Sequence, residues 1–212
     1  MVIPIGFEAP SELADETLHV SEGGRLVIGA WAGSVNVSAG SGSHVRVAVR
    51  GRGLLPPPAL EIGRDGADVY VDLRSAPLLG WLPLWAWRHL ELEVSVPARF
   101  SVEVRTRRGR VDVRGVDGEV DASSQGGPLV FRDIRGPIDA RTADGSIDVS
   151  GCHGDVDVGT ARGSIEIQNV EGQVSAHSRG GRIQVLDPAH GLLVRSGGGS
   201  IQIEGAGALA FA

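Results

Sequence analysis

The chain has 212 residues, a formal charge of −6 and an apolar fraction of 42%, so it is long and hydrophobic enough to fold around a core without a metal or disulfide framework. All 20 basic residues are arginine, which excludes a Walker-type phosphate loop and lysine-dependent catalysis. The single cysteine excludes an intrachain disulfide and multi-cysteine metal sites, while the 32 glycines indicate a turn-rich fold.

No targeting segment is predicted at the N-terminus, because the first residues lack a basic region followed by a long apolar stretch. The most apolar window, residues 76–90, is interrupted by two prolines and a glycine and is shorter than the roughly 20 residues that a membrane-spanning helix needs. We therefore expect a chain that is soluble as given. Whether it is cytoplasmic or membrane-associated is left open by the sequence.

The N-terminal part, residues 18–99, is predicted to be an irregular portion of a β fold. Apolar residues alternate from Leu26 to Val37 on both sides of Gly33, at the same offsets as a regular repeat that follows later. Residues 45–49 alternate in the same way and predict a further strand.

Two insertions interrupt this N-terminal part. Pro56-Pro57-Pro58 cannot donate hydrogen bonds to a sheet, so residues 51–67 are predicted to form a loop. Strands are predicted over residues 69–73 and 92–96, and these flank the second insertion, residues 76–90.

Residues 102–203 contain six copies of an 18-residue repeat in which each of two short alternating strands ends in a glycine-rich turn. The glycines of the first turn are Gly109, Gly127, Gly145, Gly163, Gly181 and Gly199. A hydroxyl residue precedes each by three positions: Thr106, Ser124, Thr142, Thr160, Ser178 and Ser196. The second turn starts at residue types that tolerate left-handed backbone: Gly115, Asp133, Gly151, Asn169 and Asp187.

The repeat determines the predicted architecture. A two-stranded unit of this size cannot bury its apolar row alone, so neighbouring units must stack on one another. The sequence therefore predicts an all-β, single-chain β-solenoid of the β-helix or β-roll type, with 18-residue two-strand rungs about 4.8 Å apart. We expect one solenoid domain over residues 1–212, with its regular six-rung part at 102–203.

The segments Ile138–Val149 and Val156–Ile167, and the lead-in over residues 91–106, resemble the bacterial β-strand-repeat "putative adhesin" domains of the Toastrack superfamily. The resemblance covers roughly residues 18–203, and its most specific part is the repeated Thr/Ser-x-x-Gly-x-Ile-x-Val motif. It implies a solenoid-like fold without catalytic residues, in proteins that are often membrane-associated or linked to envelope stress.

Two rows of mainly acidic residues are predicted to stack on the outer faces. One row is Glu103, Asp121, Asp139 and Asp157, and the other is Asp112, Val130, Asp148 and Glu166. Stacked carboxylates can form a cation site or an acid–base pair, but a solvated face with Arg105 and Arg141 as counter-charges is the simpler interpretation. A carbohydrate-active β-helix enzyme and a cation-dependent self-assembly module stay open as alternatives.

The other reactive side chains form no predicted site. Cys152 occupies a repeat position otherwise held mostly by valine or isoleucine, which predicts a buried and unreactive thiol. The six histidines fall at unrelated repeat offsets. The sequence therefore predicts no catalytic residue, no metal site and no cofactor.

The strongest functional candidate is the Trp-rich insertion at residues 76–90, which carries three of the four tryptophans. Tryptophan is enriched in binding hot spots and at membrane interfaces, although the insertion could also cap an end of the solenoid. Two arginines in the first turn of the repeat are expected to project into solvent nearby and could meet anionic groups. The predicted binding residues are Trp81, Leu82, Leu84, Trp85, Trp87, Arg107 and Arg108.

These observations predict a non-enzymatic interaction scaffold, and the resemblance alone adds a bacterial envelope or membrane-stress setting. A protein partner or self-association is the favoured contact, and a membrane surface is the second. No nucleic acid is expected, because the net charge is negative and the repeat lacks aromatic stacking positions.

Overall fold

The computed structural model describes residues 11–21, 23–30, 33–53, 59–74 and 87–205, and every regular element in these ranges is a β-strand. The first seven strands are β1 (Ser11–His19), β2 (Arg25–Ala30), β3 (Ser34–Gly40), β4 (His44–Gly53), β5 (Ala59–Asp65), β6 (Asp68–Arg74) and β7 (Trp87–Pro97). The next six are β8 (Ser101–Arg108), β9 (Val111–Arg114), β10 (Val120–Gly126), β11 (Leu129–Ile134), β12 (Ile138–Thr142) and β13 (Ile147–Cys152). The last six are β14 (Val156–Thr160), β15 (Ile165–Val170), β16 (Val174–Ser178), β17 (Ile183–Pro188), β18 (Leu192–Ser196) and β19 (Ile201–Glu204).

The strands form two sheets that face each other across the core. The ten-stranded sheet has the order β1-β4-β7-β3-β9-β11-β13-β15-β17-β19, and the nine-stranded sheet has the order β18-β16-β14-β12-β10-β8-β2-β6-β5. From β8 onward, consecutive strands alternate between the sheets, so each pair of strands makes one coil. We call such a pair, one strand from each sheet, a rung. This arrangement confirms the predicted all-β solenoid.

The regular part stacks with a constant offset of one repeat. In the nine-stranded sheet Val120 pairs in parallel with both Val102 and Ile138, and in the ten-stranded sheet Leu129 pairs with both Val111 and Ile147. Like residues therefore lie over like residues in all six rungs from β8/β9 to β18/β19, as the sequence predicts.

The glycines of the first turn form a column along one edge of the solenoid, which we call the glycine corner. A methyl group built on Gly145 would overlap the carbonyl of Gly127, and one built on Gly163 would overlap that of Gly145. The same relation continues to Gly181 and Gly199. Only a residue without a side chain allows the turns to stack this closely, which is why glycine recurs every 18 residues.

The second turn requires a left-handed residue in successive rungs. The non-glycine residues Asp133, Asn169 and Asp187 have φ angles of 56°, 53° and 50°, while Gly115 and Gly151 have 71° and 67°. Aspartate and asparagine tolerate this conformation better than other side chains, so the predicted turn positions are confirmed.

The hydroxyl row is buried beside the glycine corner and satisfies polar groups of the turns. The Thr160 hydroxyl accepts a hydrogen bond from the Gly163 amide at 3.0 Å and donates one to the Gly145 carbonyl of the preceding rung at 2.9 Å. Ser178 repeats both contacts one rung further on. Because a buried polar group without a partner is costly, these hydroxyls stabilise each turn and link it to its neighbour.

The core lies between the sheets and consists mainly of valine, isoleucine and leucine from alternate strand positions. Phe100 and Phe131 are its largest fully buried side chains. Each buried aliphatic side chain stabilises the fold by about 1.5–3 kcal/mol as an upper bound, so stacking identical rows accounts for most of the stability.

The N-terminal part is more regular than predicted. β2 lies between β6 and β8 in the nine-stranded sheet, and β3 lies between β7 and β9 in the other. The pairs β6/β7 and β2/β3 are therefore two further rungs, which gives eight in all and a stack about 34 Å long. The segment from Leu26 to Val37 is confirmed as a repeat copy, since Leu26 pairs with Val102 and Val35 pairs with Val111.

Two predicted boundaries are wrong. Residues 51–67 do not form one loop, because β4 continues to Gly53 and β5 pairs antiparallel with β6 through a two-residue turn at Gly66 and Ala67. Gly66 has a φ of 61°, the conformation that such a tight hairpin demands. The second insertion also ends earlier than predicted, since residues 87–90 belong to β7 and pair with β4. β1, which pairs antiparallel with β4, had no counterpart in the sequence analysis.

Candidate functional site

The Trp-rich insertion leaves the solenoid at the glycine corner. In rung β6/β7, β6 ends at Arg74 and β7 begins at Trp87, and these two strand ends lie at the corner where the other rungs turn. A methyl group on Gly33 would lie 2.8 Å from the Leu90 carbonyl oxygen on one side, and Gly109 packs against Gly33 on the other. The base of the insertion and the turn of rung β8/β9 are therefore two rungs apart, about 10 Å along the stack.

The predicted binding residues fall into two groups. Trp81, Leu82, Leu84 and Trp85 lie outside the described residues, and Trp87 is described only as the first backbone position of β7. Arg107 and Arg108 are exposed at the end of β8, just before the turn in which they were predicted, and neither makes an ion pair within the described ranges. The structure thus brings these two arginines to the same corner as the base of the insertion.

The first acidic row stacks as predicted on the outer face of the nine-stranded sheet, where Asp121 is paired with Glu103 and with Asp139. Arginine side chains form ion pairs with the carboxylates of this row. Glu103 contacts Arg25 at 2.7 Å and Arg105 at 2.5 Å. Burial and the neighbouring carboxylates raise the pKa of Asp139 in spite of its ion pair with Arg141.

Arg141 bridges the last two members of this row. Its guanidinium lies 2.8 Å from Asp139 and 2.7 Å from Asp157, and it also donates a hydrogen bond to the backbone carbonyl of Asp157. This is the counter-charge role predicted for Arg141. All three side chains are about half exposed, so the contacts add little to stability.

The second acidic row contains the best-enclosed carboxylate described in the structure. The Asp112 side chain is only 4% exposed and accepts two hydrogen bonds from Arg114, at 2.6 and 2.8 Å. Arg110 and Arg132 contact it at 3.3 and 3.2 Å. The hydrogen bonds from Arg114 hold the pKa of Asp112 below its usual range, against the opposing effect of burial. A carboxylate fixed in this way is a structural anchor on the outer face of the ten-stranded sheet.

Cys152 is buried in the core, where it stacks on Ile134 and Val170 of the neighbouring rungs. Burial raises the pKa of its thiol to about 11, so the reactive thiolate is scarce at neutral pH. The prediction of a buried, unreactive thiol agrees with this environment.

Sequence analysis missed a groove on the outer face of the nine-stranded sheet, with a volume of about 790 Å³. Gly159 forms its floor, flanked by Arg141 and His177, and Arg179 and Arg195 line the end nearest the last rung. Stacking the repeats reveals the column responsible, because successive rungs place Arg105, Ser123, Arg141, Gly159, His177 and Arg195 in register.

No group of three or more His, Cys, Asp or Glu side chains with metal-binding geometry occurs in the described ranges. Among those same residues there is no helix with the length and apolarity required to cross a bilayer.

Comparison with known proteins identifies the fold. No protein-family model matches the sequence, and no curated protein matches it. A crystal structure of a "putative adhesin" from Bacteroides fragilis is similar with a TM-score of 0.53 and 10% identity, over 90% of this chain and 95% of that chain. A "putative cell adhesion protein" from Clostridium sporogenes aligns over 92% of this chain and 99% of that one, with 11% identity and a TM-score of 0.45.

A third similar structure, a "putative adhesin" from Parabacteroides merdae, aligns over 90% of this chain and 95% of that one, with 11% identity and a TM-score of 0.34. At these identities the Bacteroides fragilis structure shows a shared fold. The adhesin-type resemblance predicted from the repeat is confirmed at that level.

Proposed function

We propose that this chain is a non-enzymatic, adhesin-like binding module, a single domain over residues 1–212 that associates with a second copy of itself through the Trp-rich insertion together with Arg107 and Arg108. The solenoid is the rigid platform that holds this surface. The observation that carries the proposal is the position of the insertion's base, at the glycine corner and two rungs from the two arginines.

The chemistry of the two components supports a contact between identical copies. Tryptophan and arginine are the residue types most enriched in interface hot spots, and an arginine guanidinium stacks favourably on an indole ring. In a two-fold symmetric dimer, the arginines of one copy face the insertion of the other, so a single patch supplies both halves of the interaction. Among the described residues Arg107 and Arg108 have no ion-pair partner, whereas Arg110 and Arg114 are held by Asp112.

The shared fold with a protein described as an adhesin supports a binding role. The ion pairs within the acidic row favour a binding role over glycan cleavage. Arg141 holds Asp139 and Asp157 in ion pairs, so neither carboxylate is free to act as the acid or the base of glycan cleavage. The envelope or membrane-stress setting remains a proposal that rests on the resemblance.

Sedimentation velocity tests the proposal over protein concentrations up to about 0.1 mM, where even weak contacts are populated. The wild-type chain should dimerise, and both the Trp81→Ser/Trp85→Ser/Trp87→Ser variant and Arg107→Gln/Arg108→Gln should be monomeric with unchanged β-sheet circular dichroism. Arg179→Gln/Arg182→Gln is the matched control, because it removes two exposed arginines further along the same corner and should still dimerise.

Three results would contradict the proposal. A wild-type chain that stays monomeric throughout the range has no self-association site. Loss of the β-sheet signal in the tryptophan variant would show that the insertion is a structural cap. Sedimentation of the wild-type chain with vesicles containing about a third anionic lipid, without dimerisation in solution, would assign the patch to a membrane surface instead.

A further inference from the structure

The groove over Gly159 crosses the strands of the nine-stranded sheet instead of following them. Its lining extends from Thr106 on β8 to Arg195 on β18, a distance of five rungs or about 24 Å. Glycine creates the depression, since a methyl group on Gly159 would contact the Arg141 side chain at 3.1 Å. Ser123 and Ser175 add small polar side chains to the walls.

The end of the groove nearest the last rung is positively charged, although the chain as a whole carries a charge of −6. His177, Arg179 and Arg195 are exposed there, and within the described ranges none of them makes an ion pair. The acidic row that neutralises the arginines of earlier rungs ends at Asp157, because its next two positions are Ser175 and Leu193. Unpaired arginines beside an open depression favour an anionic ligand.

The sheet restricts which anion can fit. Groove strands β8, β10, β12, β14 and β16 are each paired on both sides. The free edge of β18 lies at the end of the stack, where an added peptide strand would run parallel to β18 and therefore across the groove, not along it. Recognition must come from side chains spaced along the stack. Arginine offers a planar fork that binds carboxylates in a bidentate manner, and the serine hydroxyls can bond to sugar hydroxyls.

We infer that this groove binds a linear acidic polysaccharide, with uronate carboxylates held by Arg179, Arg195 and His177 and the sugar hydroxyls lying over Gly159 and Ser175. The residues proposed to hold the sugar lie three to five rungs from Arg107 and Arg108, so the inference does not depend on the proposed self-association. Affinity should fall with rising salt, since exposed ion pairs are screened.

Calorimetry with hexagalacturonate tests the inference on the full chain. The wild type should bind hexagalacturonate but not neutral maltohexaose. Arg179→Gln and Arg195→Gln should each weaken binding about tenfold, as expected for loss of a charged hydrogen bond. The control Arg182→Gln removes a nearby exposed arginine that does not line the groove and should leave affinity unchanged.

A second variant tests the floor of the groove without changing the charge. Gly159→Thr should reduce binding at least tenfold while preserving the fold, because threonine favours strands and its side chain meets only the flexible Arg141 side chain at short range. The Trp81→Ser/Trp85→Ser/Trp87→Ser variant should bind hexagalacturonate like the wild type, which separates this inference from the proposed dimerisation.

Several results would overturn the inference. These are no binding by the wild type, equal losses in Arg182→Gln and Arg195→Gln, unchanged affinity in Gly159→Thr, or binding of hexaglutamate as tight as that of hexagalacturonate. The last result would assign the groove to acidic peptides.

Discussion

Replacing one glycine of the glycine corner with alanine should damage the fold far more than replacing its neighbour. Gly127 has a φ of 138°, and a methyl group there would lie 2.7 Å from the carbonyl carbon and 3.0 Å from the amide nitrogen of Gly109, with the oxygen closer still. Gly126, the last residue of β10, would place the same methyl group in open space. The two variants therefore differ in whether the added carbon meets the adjacent turn and in whether alanine must adopt a positive φ.

The expected loss has two sources. Overpacking against a backbone that cannot move aside costs about 1–3 kcal/mol, and an unfavourable φ for a residue with a side chain costs about 1–3 kcal/mol more. Gly127→Ala should therefore lower the free energy of unfolding by about 2–6 kcal/mol, which corresponds to a fall in Tm of roughly 4–24 °C for a chain of this size. Gly126→Ala should change stability by less than about 1 kcal/mol, because it mainly restricts the unfolded chain.

Thermal unfolding followed by far-UV circular dichroism measures both variants under the same conditions. A Gly127→Ala variant that melts within about 2 °C of the wild type would refute the reasoning, since it would show that the turns are not stacked in contact. Equal losses in the two variants would refute it as well, because they would indicate a general sensitivity to alanine.

The other predictions concern the buried side chains of Asp112 and Cys152. Asp112→Asn should lower the free energy of unfolding by about 2 kcal/mol at pH 7, through loss of charged hydrogen bonds from Arg114. The hydrogen bonds from Arg114 hold the folded-state pKa of Asp112 below its ordinary value, so its stabilising effect is complete above the ordinary pKa and disappears as the pH falls through the folded value. Urea titrations in which the difference between wild type and variant stays constant down to pH 2 would contradict this. Cys152, with a pKa of about 11, should react with a thiol reagent at pH 8 only after unfolding in urea, and rapid reaction of the native chain would contradict its burial. Cys152→Val should cost less than about 1.5 kcal/mol, because Val170 occupies the equivalent site one rung away.

The repeat made most of the fold predictable from the sequence. A side-chain period of two, combined with glycines every 18 residues, allows only stacked coils, and the register followed from aligning residues such as Val102, Val120 and Ile138. The hairpin at Gly66 and Ala67 was also encoded, since a glycine at the first position of a two-residue turn between alternating apolar residues is a hairpin signal. The nearby run Pro56-Pro57-Pro58 favours a loop over the whole segment and therefore conceals this signal.

The position of rung β2/β3 could not be predicted in the same way. Its residues match the repeat, but nothing in their order shows that β6/β7 stacks on one side of it and β8/β9 on the other. That arrangement depends on long-range pairing, which local periodicity does not encode. The groove was predictable in principle because its residues share one column, whereas its depth depends on how Arg141 lies across Gly159.

Disulfide formation between engineered cysteines tests the stacking order most directly. Val27 on β2 is paired with Tyr70 on β6 and with Glu103 on β8, whereas Tyr70 and Glu103 are two strands apart, about 10 Å. Under mild oxidation, Val27→Cys/Tyr70→Cys and Val27→Cys/Glu103→Cys should each form an intrachain disulfide, and Tyr70→Cys/Glu103→Cys should not. Efficient cross-linking of the third pair, with failure of the first two, would show that β6 and β8 are neighbours and would contradict the eight-rung solenoid.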